Sequence, residues 1–345
     1  MTDIRVGLVG YGVAGAFFHA PLIAATPGLR LSAVVTGNPG RAAEVRRRYG
    51  ARAVGDAAEL WDSSDLIVVA SPNRTHVPLA EAALRAGLPV VVDKPLAGGA
   101  EEARRLVRLA GERGLMLTVF QNRRWDGDFR TVLRLLSSGE LGTVHRLESR
   151  FERWRPTPKG GWREAGGAEE VGGLLYDLGS HLVDQALRLL GPATHVYAES
   201  DARRAGVASD DDTFIALTHA GGARSHLWAG ALTPRAGPRF RVLGSRAGYL
   251  KHGLDVQEDR LRAGVAPDAP GFGEEPPERW GTLGTDVDNR PVRTEDGAYL
   301  DFYRQVVTGL LEGTPPPVDP EEVLQALTVL EAARRSAAAS RVIRL

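Results

Sequence analysis

Short unbroken apolar runs alternate with longer Ala-, Leu- and Arg-rich stretches through the first 120 residues. Ile4–Val9, Leu31–Val35, Leu66–Ala70, Pro89–Val92 and Met116–Phe120 are the strand candidates. Ala14–Ala25, Arg41–Tyr49, Val77–Ala86 and Ala100–Arg113 lie between them as helix candidates. Apolar runs of about four or five residues without alternation suit strands buried on both faces of a parallel sheet. Strand–helix alternation of this length predicts βαβ crossovers and a doubly wound α/β domain.

After Gln121 the pattern changes. Helices are predicted over Phe129–Ser137 and Leu174–Leu190, followed by strands at Thr194–Ser200, Thr213–Thr218, Ala223–Ala229, Phe240–Leu243 and Gly248–Lys251. Strand runs joined by short polar turns predict an α/β domain with a mostly antiparallel open sheet and helices on one face. Ala263–Pro277 reads as a long surface loop, and Ala298–Leu311 and Pro320–Ser336 as two late helices. The expected division is residues 1–121 for the first domain and 122–345 for the second.

Two domains are also what 345 residues predict at roughly 150 per domain. Lys+Arg and Asp+Glu stand at 43 each, so the basic excess of a nucleic-acid binder is missing. With no cysteine there is no disulfide, thiolate metal site, Fe–S cluster or cysteine nucleophile. The start has no signal-like apolar segment, and the apolar runs are far shorter than a bilayer requires. The expectation is a soluble, cytoplasmic protein with neither nucleic-acid nor membrane partner.

Gly10-Tyr11-Gly12-Val13-Ala14-Gly15 follows the first strand and opens the first helix. In that context Gly10 permits the tight turn, Gly12 lets a pyrophosphate approach the backbone, and Gly15 lets helix and strand pack closely. An acid at the tip of the second strand would hold the ribose 2′-hydroxyl of NAD. The tip instead reads Val35-Thr36-Gly37-Asn38-Pro39-Gly40-Arg41. Thr36, Asn38 and Arg41 offer donors to a 2′-phosphate, which favours NADP(H) over NAD(H). Ser71-Pro72-Asn73-Arg74-Thr75-His76 and Asp93-Lys94-Pro95 each follow an apolar run, at the strand ends where open α/β sheets bind ligands. In the second domain Asp177 and His181 are four apart and share a face if helical, so that the carboxylate can orient the imidazole for proton transfer. Asp184, three beyond His181, could do the same. No third ligand completes a metal site by spacing.

Taken in order, these motifs resemble the Gfo/Idh/MocA family of nicotinamide-dependent oxidoreductases over essentially the whole chain. Phe17-Phe18-His19-Ala20-Pro21, Gln121-Asn122-Arg123-Arg124-Trp125-Asp126 and Tyr176-Asp177-Leu178-Gly179-Ser180-His181 look like the branch containing the scyllo-inositol dehydrogenases. The resemblance implies a Rossmann domain, then an α/β domain whose sheet makes homodimer or homotetramer contacts. It implies that Lys94, Asp177 and His181 surround the reacting carbon, and that Asp93, Lys94 and Asn122 line the cofactor. Arg123, Arg153, Tyr176, Asp177 and His181 become candidates for holding a polyol or sugar, and Trp162-Arg163 for reaching the cofactor. Asp93 stands where many members have Glu, and Gln121 where close relatives often have His. The implied reaction is hydride transfer between an alcohol and nicotinamide, with His181 or Lys94 handling the hydroxyl proton. Two alternatives remain open: a redox-neutral glycosidase that retains its NAD, and a non-catalytic dinucleotide sensor.

Overall fold

In the computed structural model, which describes residues 3–158, 160 and 171–345, the apolar runs of the first part form one six-stranded sheet. Its strands are β1 (Ile4–Val9), β2 (Leu29–Val35), β3 (Arg52–Val54), β4 (Leu66–Val69), β5 (Val90–Asp93) and β6 (Leu117–Phe120). All pair in parallel, in the order β3-β2-β1-β4-β5-β6. Every residue of β4, β5 and β6 is buried, as expected for strands covered by helices on both faces. The order reverses between β1 and β4, and the turns after those strands lie side by side at the carboxyl edge where such sheets bind ligands. The short edge strand β3 was not foreseen, because its three residues, Arg52-Ala53-Val54, offer too little apolar pattern.

The helix after the glycine turn begins at Val13 and contains a π turn over Gly15–His19. Pro21 stands just beyond it. It has no N–H to give the Phe17 carbonyl, and its ring would crowd that carbonyl in regular α geometry. The wide turn relieves that conflict and carries His19 into the interior.

The second sheet has nine strands. They are β7 (Val144–Glu152), β8 (Ala193–Asp201), β9 (Asp212–His219), β10 (Arg224–Gly230), β11 (Phe240–Gly244), β12 (Gly248–Lys251), β13 (Gly281–Gly284), β14 (Asn289–Val292) and β15 (Ile343–Arg344). The order is β14-β13-β12-β11-β7-β10-β9-β8-β15, and β7–β10 is its parallel pair. Alternation is regular in β9, where Thr213, Ile215, Leu217 and His219 are buried and Phe214, Ala216 and Thr218 are partly exposed. The expected helix over Leu174–Leu190 is divided at Leu178 into Leu174–Asp177 and Gly179–Leu190. The later helices run Tyr299–Glu312 and Pro320–Ala339.

By packing, the chain forms two units that are not contiguous in sequence. Unit 1 comprises Met1–Asn122, Gln257–Phe272 and Ala298–Leu324; unit 2 comprises Arg123–Val256, Gly273–Gly297 and Gln325–Leu345. The sequence expectation assigned everything after 121 to one domain. The chain returns because Tyr299–Glu312 packs Phe302 and Tyr303 on Phe120 at ring-centroid distances of 4.9 and 6.0 Å. Thr118 Oγ1 also donates to the Val318 carbonyl at 2.9 Å, inside unit 1.

Unit 2 buries a polar cluster. The Arg239 guanidinium lies 4.0 Å from the centroids of both Phe151 and Phe240. It pairs with Asp128 at 3.1 Å and donates to Gln185 Oε1 at 2.7 Å. Gln185 in turn donates to the Arg123 carbonyl at 2.9 Å, while Arg124 holds Asp184 through two bonds of 2.8 and 2.6 Å. Such charges are tolerated inside because each is paired and hydrogen-bonded. No helix among the described residues is long and apolar enough to cross a membrane.

Candidate functional site

The glycine turn of unit 1 separates three roles. Gly10 has φ +100°, and a Cβ there would meet the Ala70 carbonyl oxygen at 2.7 Å. A Cβ on Gly15 would meet the Gly10 carbonyl oxygen at 2.1 Å. Both positions are closed by the protein's own backbone, where a side chain has no room. Around Gly12 nothing lies within 4 Å of an added Cβ, so this glycine faces open space. Val13, beside it, is 46% exposed, and Ala14 completes the entry to the helix. A glycine kept bare toward open space at a helix N-terminus fits the close approach of a pyrophosphate. Tyr11 is turned inward, with its hydroxyl donating to Glu44 Oε1 at 3.2 Å and burial pushing its pKa up.

At the tip of β2, Asn38 caps the helix Pro39–Tyr49 by accepting from the Arg41 backbone at 3.0 Å. The Thr36 hydroxyl oxygen accepts from the Asn38 backbone at 3.4 Å. Asn38 thus spends its amide oxygen on the helix and keeps its NH₂ as donor. The Arg41 side chain is exposed, with no partner among the described residues, which leaves its guanidinium available to an anion.

After β4, Ser71 Oγ and Thr75 Oγ1 lie 2.7 Å apart, and Thr75 bonds back to the Pro72 carbonyl at 2.7 Å. These bonds fix the tight turn Asn73–Thr75. His76, a cofactor candidate by sequence, is fully buried, with Nδ1 2.7 Å from the Pro95 carbonyl and Nε2 3.0 Å from the Ser71 carbonyl. A neutral ring has one N–H and donates to one of these two oxygens, which ties it to a neighbouring loop. Burial lowers its pKa, against the opposing pull of Asp93 and the two carbonyls.

Asp93 also turns inward, and its Oδ1 lies 3.6 Å from His19 Nε2. That geometry turns one carboxylate oxygen toward the interior of the fold. Burial works to raise its pKa, but His19 foremost, then Lys94 and His76, bring the net shift down. Lys94 follows directly and is half-buried at the end of β5.

In unit 2, Asn122 of unit 1 leads into the tight turn Asn122–Trp125, which carries Arg123, 5.6 Å from the Phe151 ring and 3.5 Å from Asp126. Arg153 bridges β10 and the Thr233 backbone through its own N–H and carbonyl, at 2.8 and 3.0 Å. His181 is buried in the first turn of Gly179–Leu190, with its ring 6.3 Å from Phe151. Asp177 lies across the break at Leu178, so the two share a turn but not one continuous helix. Tyr176 is buried with no hydrogen-bond partner on its hydroxyl, near Arg334, Glu331 and Asp210, and burial raises its pKa. Trp162 and Arg163 lie outside the described residues.

Residues that sequence reasoning passed over support these groups. Asp210 accepts from Leu175 N at 2.6 Å and Thr213 Oγ1 at 2.8 Å, and so anchors the turn carrying Asp177. His19 lies in a motif singled out only for its resemblance, and Tyr303, 284 positions away, has no local signal tying it to His19. No group of three or more His, Asp or Glu able to hold a metal occurs among the described residues.

The chain belongs to the Gfo/Idh/MocA oxidoreductase family: the NAD-binding Rossmann model matches residues 4–121 and the C-terminal α/β model residues 134–345. It is similar to scyllo-inositol 2-dehydrogenase (NADP(+)) of Bacillus subtilis, with 35% identity over 100% of this chain and 97% of that protein. The oxidoreductase YvaA of Bacillus subtilis superposes with TM-score 0.94 at 34% identity, covering 100% of this chain and 99% of that one. An oxidoreductase structure from Yersinia pestis gives TM-score 0.92 at 38% identity, covering 100% and 97%.

Proposed function

We propose that this protein is an NADP(H)-preferring dehydrogenase that interconverts a secondary alcohol and ketone of a cyclitol or sugar in the cytoplasm, with scyllo-inositol the first compound to test. The reading is carried by full-length similarity to a scyllo-inositol dehydrogenase in a chain that carries Lys94, Asp177 and His181. The open space at Gly12 and the absence of an acid at the β2 tip support the cofactor choice. Thr36, Asn38 and Arg41 are assigned the 2′-phosphate, and Ser71, Pro72, Asn73 and Asn122 the remaining cofactor contacts.

When bound, the nicotinamide supplies or accepts the hydride. The protein's part is orientation and proton transfer. Lys94 donates a hydrogen bond to the reacting oxygen, and His181 takes or returns the proton with Asp177 holding its ring. Arg123 and Arg153 are assigned substrate hydroxyls. The face of the nine-stranded sheet bearing Phe214, His226 and Trp228, with Arg150 stacked 3.9 Å from the Trp228 ring, is assigned the contact between copies in a homodimer or homotetramer.

The test is a cyclitol and aldose screen with both nicotinamides, followed by Lys94→Ala and His181→Ala. Each substitution is expected to lower kcat by about 10²–10⁴-fold while leaving dinucleotide affinity near normal. Near-normal turnover in either variant removes that residue from the chemistry.

A further inference from the structure

A buried row of polar side chains ends at Asp93, the residue before Lys94 in the chain, and no step of the proposed reaction uses it. The Tyr303 hydroxyl lies 2.6 Å from His19 Nδ1, and His19 Nε2 faces Asp93 Oδ1 at 3.6 Å. Tyr303 and His19 are fully buried, and Asp93 nearly so. All three belong to unit 1: Tyr303 to the returning helix, His19 to the π turn, and Asp93 to the end of β5.

The direction of the hydrogen bonds follows from what each atom has left. His19 is the hydrogen-bond partner of the Tyr303 hydroxyl, which no solvent reaches. Were the hydroxyl to accept from Nδ1–H, its own hydrogen would be buried unpaired, which is unfavourable. Donating to Nδ1 avoids that loss. Burial, with the Asp93 charge, also holds the phenol well above its ordinary pKa, so the proton remains available. A neutral ring that accepts at Nδ1 carries its hydrogen on Nε2, the nitrogen aimed at Asp93. Nε2 has no hydrogen-bond partner within ordinary distance, which leaves Asp93 as its natural acceptor after a shift of a few tenths of an ångström.

We propose that Tyr303, His19 and Asp93 form a positioning relay in which Tyr303 fixes the His19 tautomer, His19 Nε2–H holds the Asp93 carboxylate inside the fold, and the backbone so anchored sets the place of the adjoining Lys94. The proposal rests on the reading of Lys94 given above. The charged and titratable groups around Asp93 are His19, Lys94, His76 and, beyond His19, Tyr303. Loss of the Nε2–H contact frees the Asp93 side chain, and the residue that follows it in the chain loses its fixed place. A displaced Lys94 then donates poorly to the reacting oxygen.

Two measurements test this separately. Nitrogen-15 spectra of histidine-labelled protein without cofactor, assigned with His19→Asn, are expected to show a non-protonated Nδ1 and a protonated Nε2. In Tyr303→Phe the ring is expected to lose this single tautomer. A proton on Nδ1 in the wild type, alone or as imidazolium, overturns the relay whether or not the enzyme assignment stands.

The second measurement separates kcat from dinucleotide affinity. His19→Asn and Tyr303→Phe are each expected to lower kcat by about 10–100-fold while leaving dinucleotide affinity near normal, because a misplaced donor slows the chemical step. The double variant should lose no more than His19→Asn alone, because Tyr303 acts through His19. Unchanged kcat in Tyr303→Phe and His19→Asn overturns the coupling. Loss of the Lys94 role, by contrast, shows as a Lys94→Ala variant that keeps its turnover.

Discussion

The two sheets of this protein are built on opposite economies of pattern. The parallel sheet of unit 1 has β4, β5 and β6 buried at every position, so each strand stands out as a continuous apolar run. The sheet of unit 2 is half-buried, and its strand β7, placed between β10 and β11, reads Val-His-Arg-Leu-Glu-Ser-Arg-Phe-Glu. Leu147, Ser149 and Phe151 face inward, while Arg146, Glu148 and Arg150 form a charged ladder on the other face. A strand buried twice is specified by hydrophobicity alone. A strand buried once can spend every second residue on charge, and then resembles a polar loop.

The largest expected effects concern unit 1's glycine turn, where the structure divides fold from ligand. Gly15→Ala forces a Cβ to 2.1 Å from the Gly10 carbonyl and is expected to cost about 3 kcal/mol or more, read as a lowered denaturant midpoint. Gly12→Ala meets nothing of the protein and should leave that midpoint almost unchanged. It should nevertheless weaken dinucleotide binding markedly, as seen by fluorescence titration. Equal destabilisation by the two variants would erase the distinction.

A middle-sized effect belongs to the β2 tip. A charge-assisted bond to a 2′-phosphate contributes about 1.5–3 kcal/mol, or roughly 10–100-fold in affinity. Arg41→Ala is expected to lower kcat/KM for NADP(H) by that order and to spare NAD(H). Thr36→Asp should repel the phosphate and improve the relative use of NAD(H). Wild-type preference for NAD(H), indifferent to Arg41, would reduce Arg41 to a solvated helix residue.

The same contrast explains what could be read from the residues beforehand. The strands of unit 1 and its glycine turn were legible because buried runs and a turn before a helix are local signals. Lys94, Asp177 and His181, the proposed proton-handling set, were nominated through short motifs. The roles of His76 and Asp93 were not, since a polar residue at a strand's carboxyl end gives no hint whether it faces a ligand or the interior. Their inward orientation depends on Pro95, Ser71 and His19. The break at Leu178 and the Asp210 anchor were hidden for a similar reason: Asp210 is 35 residues from the Leu175 N–H it accepts. β7 failed for the physical reason given above, and Arg239 because a lone arginine among strands carries no mark of burial.

The smallest expected effect lies in β7's charged ladder. Glu148 accepts from Arg150 at 3.1 Å and from Arg241 at 3.0 Å, with Arg146 at 3.6 Å. Partial burial works to raise its pKa, but Arg150 first, then Arg241 and Arg146, leave it lowered. A carboxyl whose pKa falls on folding stabilises the native state above the unfolded value, about 4.3 for Glu. That stability is lost as pH falls through the lower folded value. Glu148→Gln is therefore expected to lower stability by about 1 kcal/mol near neutrality, or roughly 2–4 °C in Tm for a unit of this size. The gap between wild type and variant should shrink below about pH 4.3 and vanish once Glu148 is protonated in the folded protein. A gap that instead persists unchanged into acid would mean that Glu148 holds β7 through side-chain packing, and that the ladder's charges are merely tolerated on the open face.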